Sequence, residues 1–212
     1  MIQIQRFTFN PFQENTYVLY DGQGNCIVVD PGCYEVHEKE SLKSFIDQEG
    51  YTSIQLVNTH CHIDHIAGNS FVMGTYNIGL SIPKGDLIVL NQAPNHGLMY
   101  GFVIEPSPAP TDFLIEGQYL KLGQEQLEII SCPGHSPDHM VFYHRQQQQL
   151  IGGDVLFQGS IGRTDLPGGD HQTLINNIKQ KLWLLPDEVT VHPGHGPTTN
   201  IGFEKTNNPF LQ

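Results

Sequence analysis

Thr59-His60-Cys61-His62-Ile63-Asp64-His65 follows directly on Ile54-Gln55-Leu56-Val57-Asn58, an apolar run short enough for a buried strand. Four metal-capable side chains stand within six residues, His60, His62, Asp64 and His65. Core histidines at that density would each need a partner for the second ring nitrogen. The cluster therefore reads as a ligand set, with a chance cluster on a solvated loop as the bland alternative. In extended backbone His60 and His62 project to the same side, where one ion can take both. A turn after them would aim Asp64 and His65 at a second ion nearby. Cys61, on the other side of the alternation, reads as packed.

Three more segments repeat one arrangement, in which a strand is followed by Gly or Pro and then by a metal-capable residue. They are Ser131-Cys132-Pro133-Gly134-His135-Ser136-Pro137-Asp138-His139, Ile151-Gly152-Gly153-Asp154 and Val191-His192-Pro193-Gly194-His195-Gly196-Pro197. Each sets its His or Asp just past a buried strand, where a rigid scaffold presents a loop. Pro-Gly and Gly-Asp also make plain turns, so one such segment alone is weak. Together with the first cluster they bring the candidate ligands to seven: His60, His62, Asp64, His65, His135, Asp154 and His195. That is about the number two ions need once water is added.

Around these motifs the pattern predicts strands at residues 2–5, 16–20 and 26–30, then an amphipathic helix over 35–48 stopped by Gly50. Beyond the first histidine cluster the pattern is irregular to about residue 112, and the proline-rich stretch 105–110 reads as a loop. Strands return at 113–115, 119–122, 127–130, 140–143 and 150–151, with residues 146–149 as a solvated hairpin tip. A last helix is expected over 172–185, then a strand at 189–191. Strands followed by a helix, twice over, suggest two sheets packed together with helices outside.

The 212 residues, 38% hydrophobic, can fill a real core and exclude a disordered chain. Ten Lys plus Arg against 22 Asp plus Glu leave a formal charge of −12, which repels phosphate backbones and argues against a nucleic-acid partner. No apolar run of about 18 residues suggests a membrane span. The opening residues read as a strand rather than a signal peptide, so a cytoplasmic location is expected. Cys26, Cys33, Cys61 and Cys132 form no metal-binding or disulfide-rich spacing and read as reduced thiols.

The constellation resembles the metallo-β-lactamase superfamily, and within it the short bacterial glyoxalase II (hydroxyacylglutathione hydrolase) type. The resemblance runs from Val29-Asp30-Pro31-Gly32 to Pro193-Gly194-His195-Gly196-Pro197. It implies an α/β fold, a four-layer αββα sandwich forming a single domain over residues 1–212, without a separate C-terminal helical domain. It also implies a binuclear site: His60, His62 and His135 on one ion, Asp64, His65 and His195 on the other, and Asp154 bridging. Two divalent ions are expected, Zn2+ first, with Fe or Mn equally compatible with His and Asp donors. Paired cations make hydroxide from a shared water near neutral pH, and that hydroxide would attack a carbonyl. Asp64 has a second, catalytic role open to it in orienting the nucleophile. Asp30 falls at a family position that is usually structural, and its role as a turn residue suffices.

The implied activity is thioester hydrolysis of S-2-hydroxyacylglutathione, a small-molecule substrate. Arg163, in Gly162-Arg163-Thr164-Asp165-Leu166-Pro167-Gly168-Gly169-Asp170, matches a cationic family position that binds a glutathione carboxylate. The structural alternative pairs it with Asp165 or Asp170 to pin the loop. The family's aromatic contact two residues later is Asp165 here. A persulfide dioxygenase, which uses one iron and shares the Gly-Arg-Thr-Asp loop, is the alternative enzyme; metal content and oxygen uptake distinguish it. A non-catalytic metal-stabilised binding module is the alternative outside enzymes.

Overall fold

The computed structural model describes residues 1–212. Backbone contacts group them into two compact units, residues 1–113 with 121–125, and residues 114–120 with 126–212.

In the first unit, β1 (Gln3–Phe9), β2 (Glu14–Tyr20) and β3 (Asn25–Val29) form an antiparallel meander. β4 (Ser53–Val57) and β5 (Leu80–Pro83) then add in parallel, and β6 (Asp112–Leu114) completes the order β1-β2-β3-β4-β5-β6. Parallel pairing of β3 with β4 requires a crossover, and α1 (Val36–Glu49) supplies it. Glu38, in the first turn of α1, accepts the Tyr34 and Glu35 amides and, through its other oxygen, the Asn10 amide at 2.6 Å. Leu42 and Ile46 bury the inner face of α1 among Val18, Cys26, Val28 and Leu56, and Gly50 ends it.

Residues 59–112, expected to be irregular, instead hold α2 (Ile63–Ile66), α3 (Asn69–Tyr76), β5 and α4 (Leu87–Met99). Their brevity hides α2 and α3. In α4, Pro94 and Gly97 sit inside the helix, and Ile88, Leu98 and Met99 are exposed while Val89, Leu90 and Ala93 are buried, which blurs the period. The proline-rich stretch 105–110 is a loop, as expected.

The second six-stranded sheet has the order β14-β13-β10-β9-β8-β7, with β7 (Tyr119–Leu122), β8 (Glu125–Ser131), β9 (Met140–His144), β10 (Gln149–Gly153), β13 (Thr190–Pro193) and β14 (Thr199–Asn200). A small hairpin, β11 (Leu156–Phe157) with β12 (Ser160–Ile161), stands apart. β9 and β10 are antiparallel across the glutamine-rich turn, whereas β10 and β13 are parallel and need α5 (His171–Gln180) between them. The Asp170 side chain accepts the Thr173 amide at 2.7 Å and starts this helix. The expected helix to residue 185 ends early: α5 stops at Gln180, Lys181 caps it with its amide on the Asn177 carbonyl, and Leu182–Leu184 form a 3-10 turn. Leu182 is nonetheless buried with Leu174 and Ile178 against Val141, Leu150 and Val191. α6 (Ile201–Asn207), in a stretch whose sequence suggests only a short tail, is held by buried Glu204, which takes the Gly159 amide and the Thr199 hydroxyl. No helix is long and apolar enough to cross a membrane.

Gly134 fixes how α5 begins. Its φ is +128°, its carbonyl accepts the Asp170 amide at 2.8 Å, and a Cβ there would stand 2.4 Å from the Leu174 nitrogen. Gly134→Ala therefore strains the backbone and displaces a helix at once. A loss of about 2–3 kcal/mol of unfolding free energy is expected from denaturant titration; an unchanged midpoint would show that α5 can slide.

Candidate metal centre

In the first unit, strand register brings the key groups together. β3 and β4 run parallel with Val29 opposite Val57, so the residues just past both strands emerge side by side. Asp30, at φ +49°, turns its carboxylate onto the other strand's exit. One oxygen accepts the Thr59 amide at 2.7 Å, and the other accepts the Thr59 hydroxyl at 2.6 Å and lies 3.2 Å from His65 Nδ1. A carboxylate on Nδ1 leaves the Nε2 lone pair of His65 available to an ion. Thr59 Oγ1 is likewise 3.0 Å from His60 Nδ1.

His60 and His65 are fully buried, and their rings lie 4.2 Å apart, with the His62 ring 4.8 Å from that of His60. The segment lies past the end of β4, as its position directly after the apolar run suggests, and His62 is in extended backbone. His62 then caps α2, whose single turn swings Asp64 round until Oδ2 stands 3.7 Å from His65 Nε2. The Asp64 carbonyl is fastened by Asn10 Nδ2 at 3.0 Å. Asp30, His60 and His65 also converge closely enough to form a donor set. Both Asp30 oxygens already accept hydrogen bonds, which makes Asp30 an orienting group rather than a ligand. Cys61 is packed as expected: it is fully buried, its amide donates to Asp86 at 2.8 Å, and burial pushes its thiol well up.

In the second unit, His135 stands in the loop between β8 and β9. Its Nδ1 is 2.8 Å from the Arg163 carbonyl, an acceptor, so Nδ1 carries the proton and Nε2 is left as the donor atom for an ion. Asp154 leaves the end of β10 and His195 the end of β13, again because parallel neighbours end together, with the Gly194 amide donating to the Gly153 carbonyl at 2.7 Å. A single oxygen, Asp154 Oδ2, is 3.5 Å from His135 Nε2 and 3.5 Å from His195 Nε2. Two donors on one tetrahedral ion at about 2.1 Å lie about 3.4 Å apart, so this oxygen is spaced to share an ion with either histidine. The donor sets of both units suit a borderline divalent metal.

Two supports escape a reading of the sequence. The Asp154 amide donates to His139 Nε2 at 3.0 Å, which holds the carboxylate's backbone in place. Gly162 allows Arg163 to reach His135, since a Cβ there would meet the Asp154 carbonyl at 1.9 Å. His139 had a signal, standing in the same loop as His135; Gly162 had none beyond being a glycine.

Arg163 forks onto Asp165, with Nε and Nη2 each donating to a carboxylate oxygen at 2.7 Å, and holds the Asp165 carboxyl down at about 2. Asp170, the other suggested partner, caps α5 instead.

The metallo-β-lactamase superfamily model matches residues 9–195. Over 98% of the chain and 96% of the relative, the sequence is 37% identical to the probable metallo-hydrolase YqgX of Bacillus subtilis. It is 34% identical to the hydroxyacylglutathione hydrolase GloC of Haemophilus influenzae, over 99% of the chain and 98% of the relative. Among solved structures, the B3 metallo-β-lactamase BLEG-1 matches with a TM-score of 0.90 at 34% identity, covering 99% of this chain and all of that one (100%). A di-iron-bound form of TTHA1623 matches with a TM-score of 0.88 at 35% identity, over 98% and 100% of the two chains. The expected α/β fold class is the fold these structures share, and the chain belongs to the metallo-β-lactamase superfamily of metal-dependent hydrolases.

Proposed function

We propose that the protein is a thioesterase of glyoxalase II type that hydrolyses S-2-hydroxyacylglutathione. The observation that carries this reading is the end-to-end similarity to the hydroxyacylglutathione hydrolase GloC. In this reading His60, His62 and His135 would hold one ion, Asp64, His65 and His195 would hold a second, and Asp154 would serve both. The spacing of Asp154 Oδ2 from two histidine nitrogens and the Nδ1 partners of His65 and His135 support it. Zn2+ fits these donors, and the di-iron form of TTHA1623 makes iron the other metal to test.

Bound divalent ions supply Lewis acidity and a nucleophile derived from water at neutral pH. The chain's own residues do the rest. Asp30 and the Arg163 carbonyl keep His65 and His135 in the tautomer that presents Nε2 inward. Asp64, partly accessible, offers a carboxylate that can orient the attacking water and take up its proton. Arg163, more than half exposed, offers two aligned N–H donors to a substrate carboxylate. No cysteine serves as nucleophile: burial pushes Cys26, Cys33 and Cys132 up to about 12.

The likeness to BLEG-1 favours a second reading, β-lactam hydrolysis. Parallel assays with S-lactoylglutathione and a chromogenic cephalosporin separate the two, and turnover of the cephalosporin alone would reject the thioesterase.

Three outcomes test the site. Elemental analysis of fully loaded protein should give about two ions per chain, falling towards one in His65→Ala. A value fixed at one in both proteins would remove the binuclear assignment. Asp154→Ala should lower kcat about a hundredfold or more, beyond any other single ligand change, because it loosens both ions. Wild-type turnover with both metals retained would contradict that. Arg163→Ala should raise KM for the glutathione thioester about tenfold with kcat little changed, while a thioester without carboxylates responds far less. Equal losses on both substrates would return Arg163 to a purely structural role.

A further inference from the structure

Arg163 and Asp165 form two parallel N–H···O bonds of 2.7 Å each, the arrangement in which a guanidinium takes a ligand carboxylate. The pair is open to solvent, with 56% of the Arg163 side chain and 68% of the Asp165 side chain exposed. Asp165 therefore occupies the Nε–Nη2 edge, one of the two edges through which the guanidinium can take a carboxylate in this way.

The pair contributes little to holding the loop. It joins residues two apart, so it ties no distant element. Other contacts fix the backbone: the Gly162 amide to the Val155 carbonyl at 3.3 Å, the Arg163 carbonyl to His135 Nδ1 at 2.8 Å, the Gly169 amide to the Leu166 carbonyl at 2.9 Å, and the Asp170 amide to the Gly134 carbonyl at 2.8 Å. Removing the Asp165 carboxylate leaves all four in place.

Resting on the thioesterase reading above, we infer that Asp165 is an internal competitor for the Arg163 fork and sets how strongly the enzyme prefers carboxylate-bearing thioesters. A tethered carboxylate binds without the entropy of association, so it is always at hand. An exposed ion pair is weak, so it yields to a ligand held at other points as well. The consequence is a tax on carboxylate recognition rather than a block.

The test compares wild type with Asp165→Ala and Asp165→Asn on two thioesters, one of glutathione and one of a thiol without carboxylates. The KM for the glutathione thioester relative to the other should fall about two- to fivefold, the span an exposed pair can withhold. In the Arg163→Ala background the same Asp165 changes should leave that ratio where it was. Calorimetric binding of S-methylglutathione, which cannot be hydrolysed as a thioester, should tighten by the same factor. An unchanged or increased ratio in both variants, with no tighter S-methylglutathione binding, overturns the competitor. Should wild type hydrolyse neither thioester, the thioesterase reading fails by itself. The competition is then decided by S-methylglutathione alone, and failure of wild type and both variants to bind it overturns the inference.

Discussion

The Asp30 carboxylate is the constraint on which the first unit's candidate ligands depend. It fixes the amide and hydroxyl of Thr59 and reaches His65 Nδ1, so one buried side chain sets both the start and the end of the histidine cluster. Holding so polar a group away from water is costly unless hydrogen bonds replace the lost solvent. Thr59 and His65 supply them, and the left-handed backbone at Asp30 is tolerated because the same bonds over-determine it. Glu14, wholly buried beside this group, has its carboxyl pushed well up by burial. The site floor thus holds one strongly bonded carboxylate and one whose burial favours the neutral form.

The second unit solves the same orientation problem through bonds between side chains and main chain. A carbonyl, that of Arg163, selects the His135 tautomer, and an imidazole, that of His139, anchors the Asp154 amide. Backbone orienters add no charge. That matters where a carboxylate must stay close to two ring nitrogens at 3.5 Å, because another nearby anion would compete with it for any cation. The cost is steric: a carbonyl reaches His135 only if the chain passes very close to Asp154, and Gly162 is what permits that approach.

Much of this was legible in the sequence, for identifiable reasons. Strands with alternating or continuous apolar runs, such as Thr16-Tyr17-Val18-Leu19-Tyr20, read clearly because burial dictates their composition. The candidate ligands stand out in the sequence because chemistry restricts the residue types and the strand ends repeat one arrangement. α4 was illegible because Pro94 breaks the usual helical signal and its apolar residues do not keep to one face. Asp30 could be read only as a turn residue, since its partners lie 29 and 35 residues on and meet it through the β3–β4 register. His139 was visible as a residue but not as a support. Its role follows from a hydrogen bond to main chain, which leaves no mark on the partner's side-chain identity.

Arg163 shows how one residue can serve two scales at once. Its carbonyl belongs to the environment of His135, a candidate ligand, and its guanidinium to the solvent-facing loop. Because the carbonyl is committed to His135, the loop cannot swing freely to suit a ligand, and adaptation must come from the side chain alone. A guanidinium on a fixed backbone retains its fork geometry while changing partners, which a lysine's point charge would not. Under the thioesterase proposal, selectivity at this position would follow from which carboxylate occupies the fork. The neighbouring Asp165, rather than the arginine itself, would then be the residue through which sequence change could tune it while the Arg163 carbonyl stays on His135.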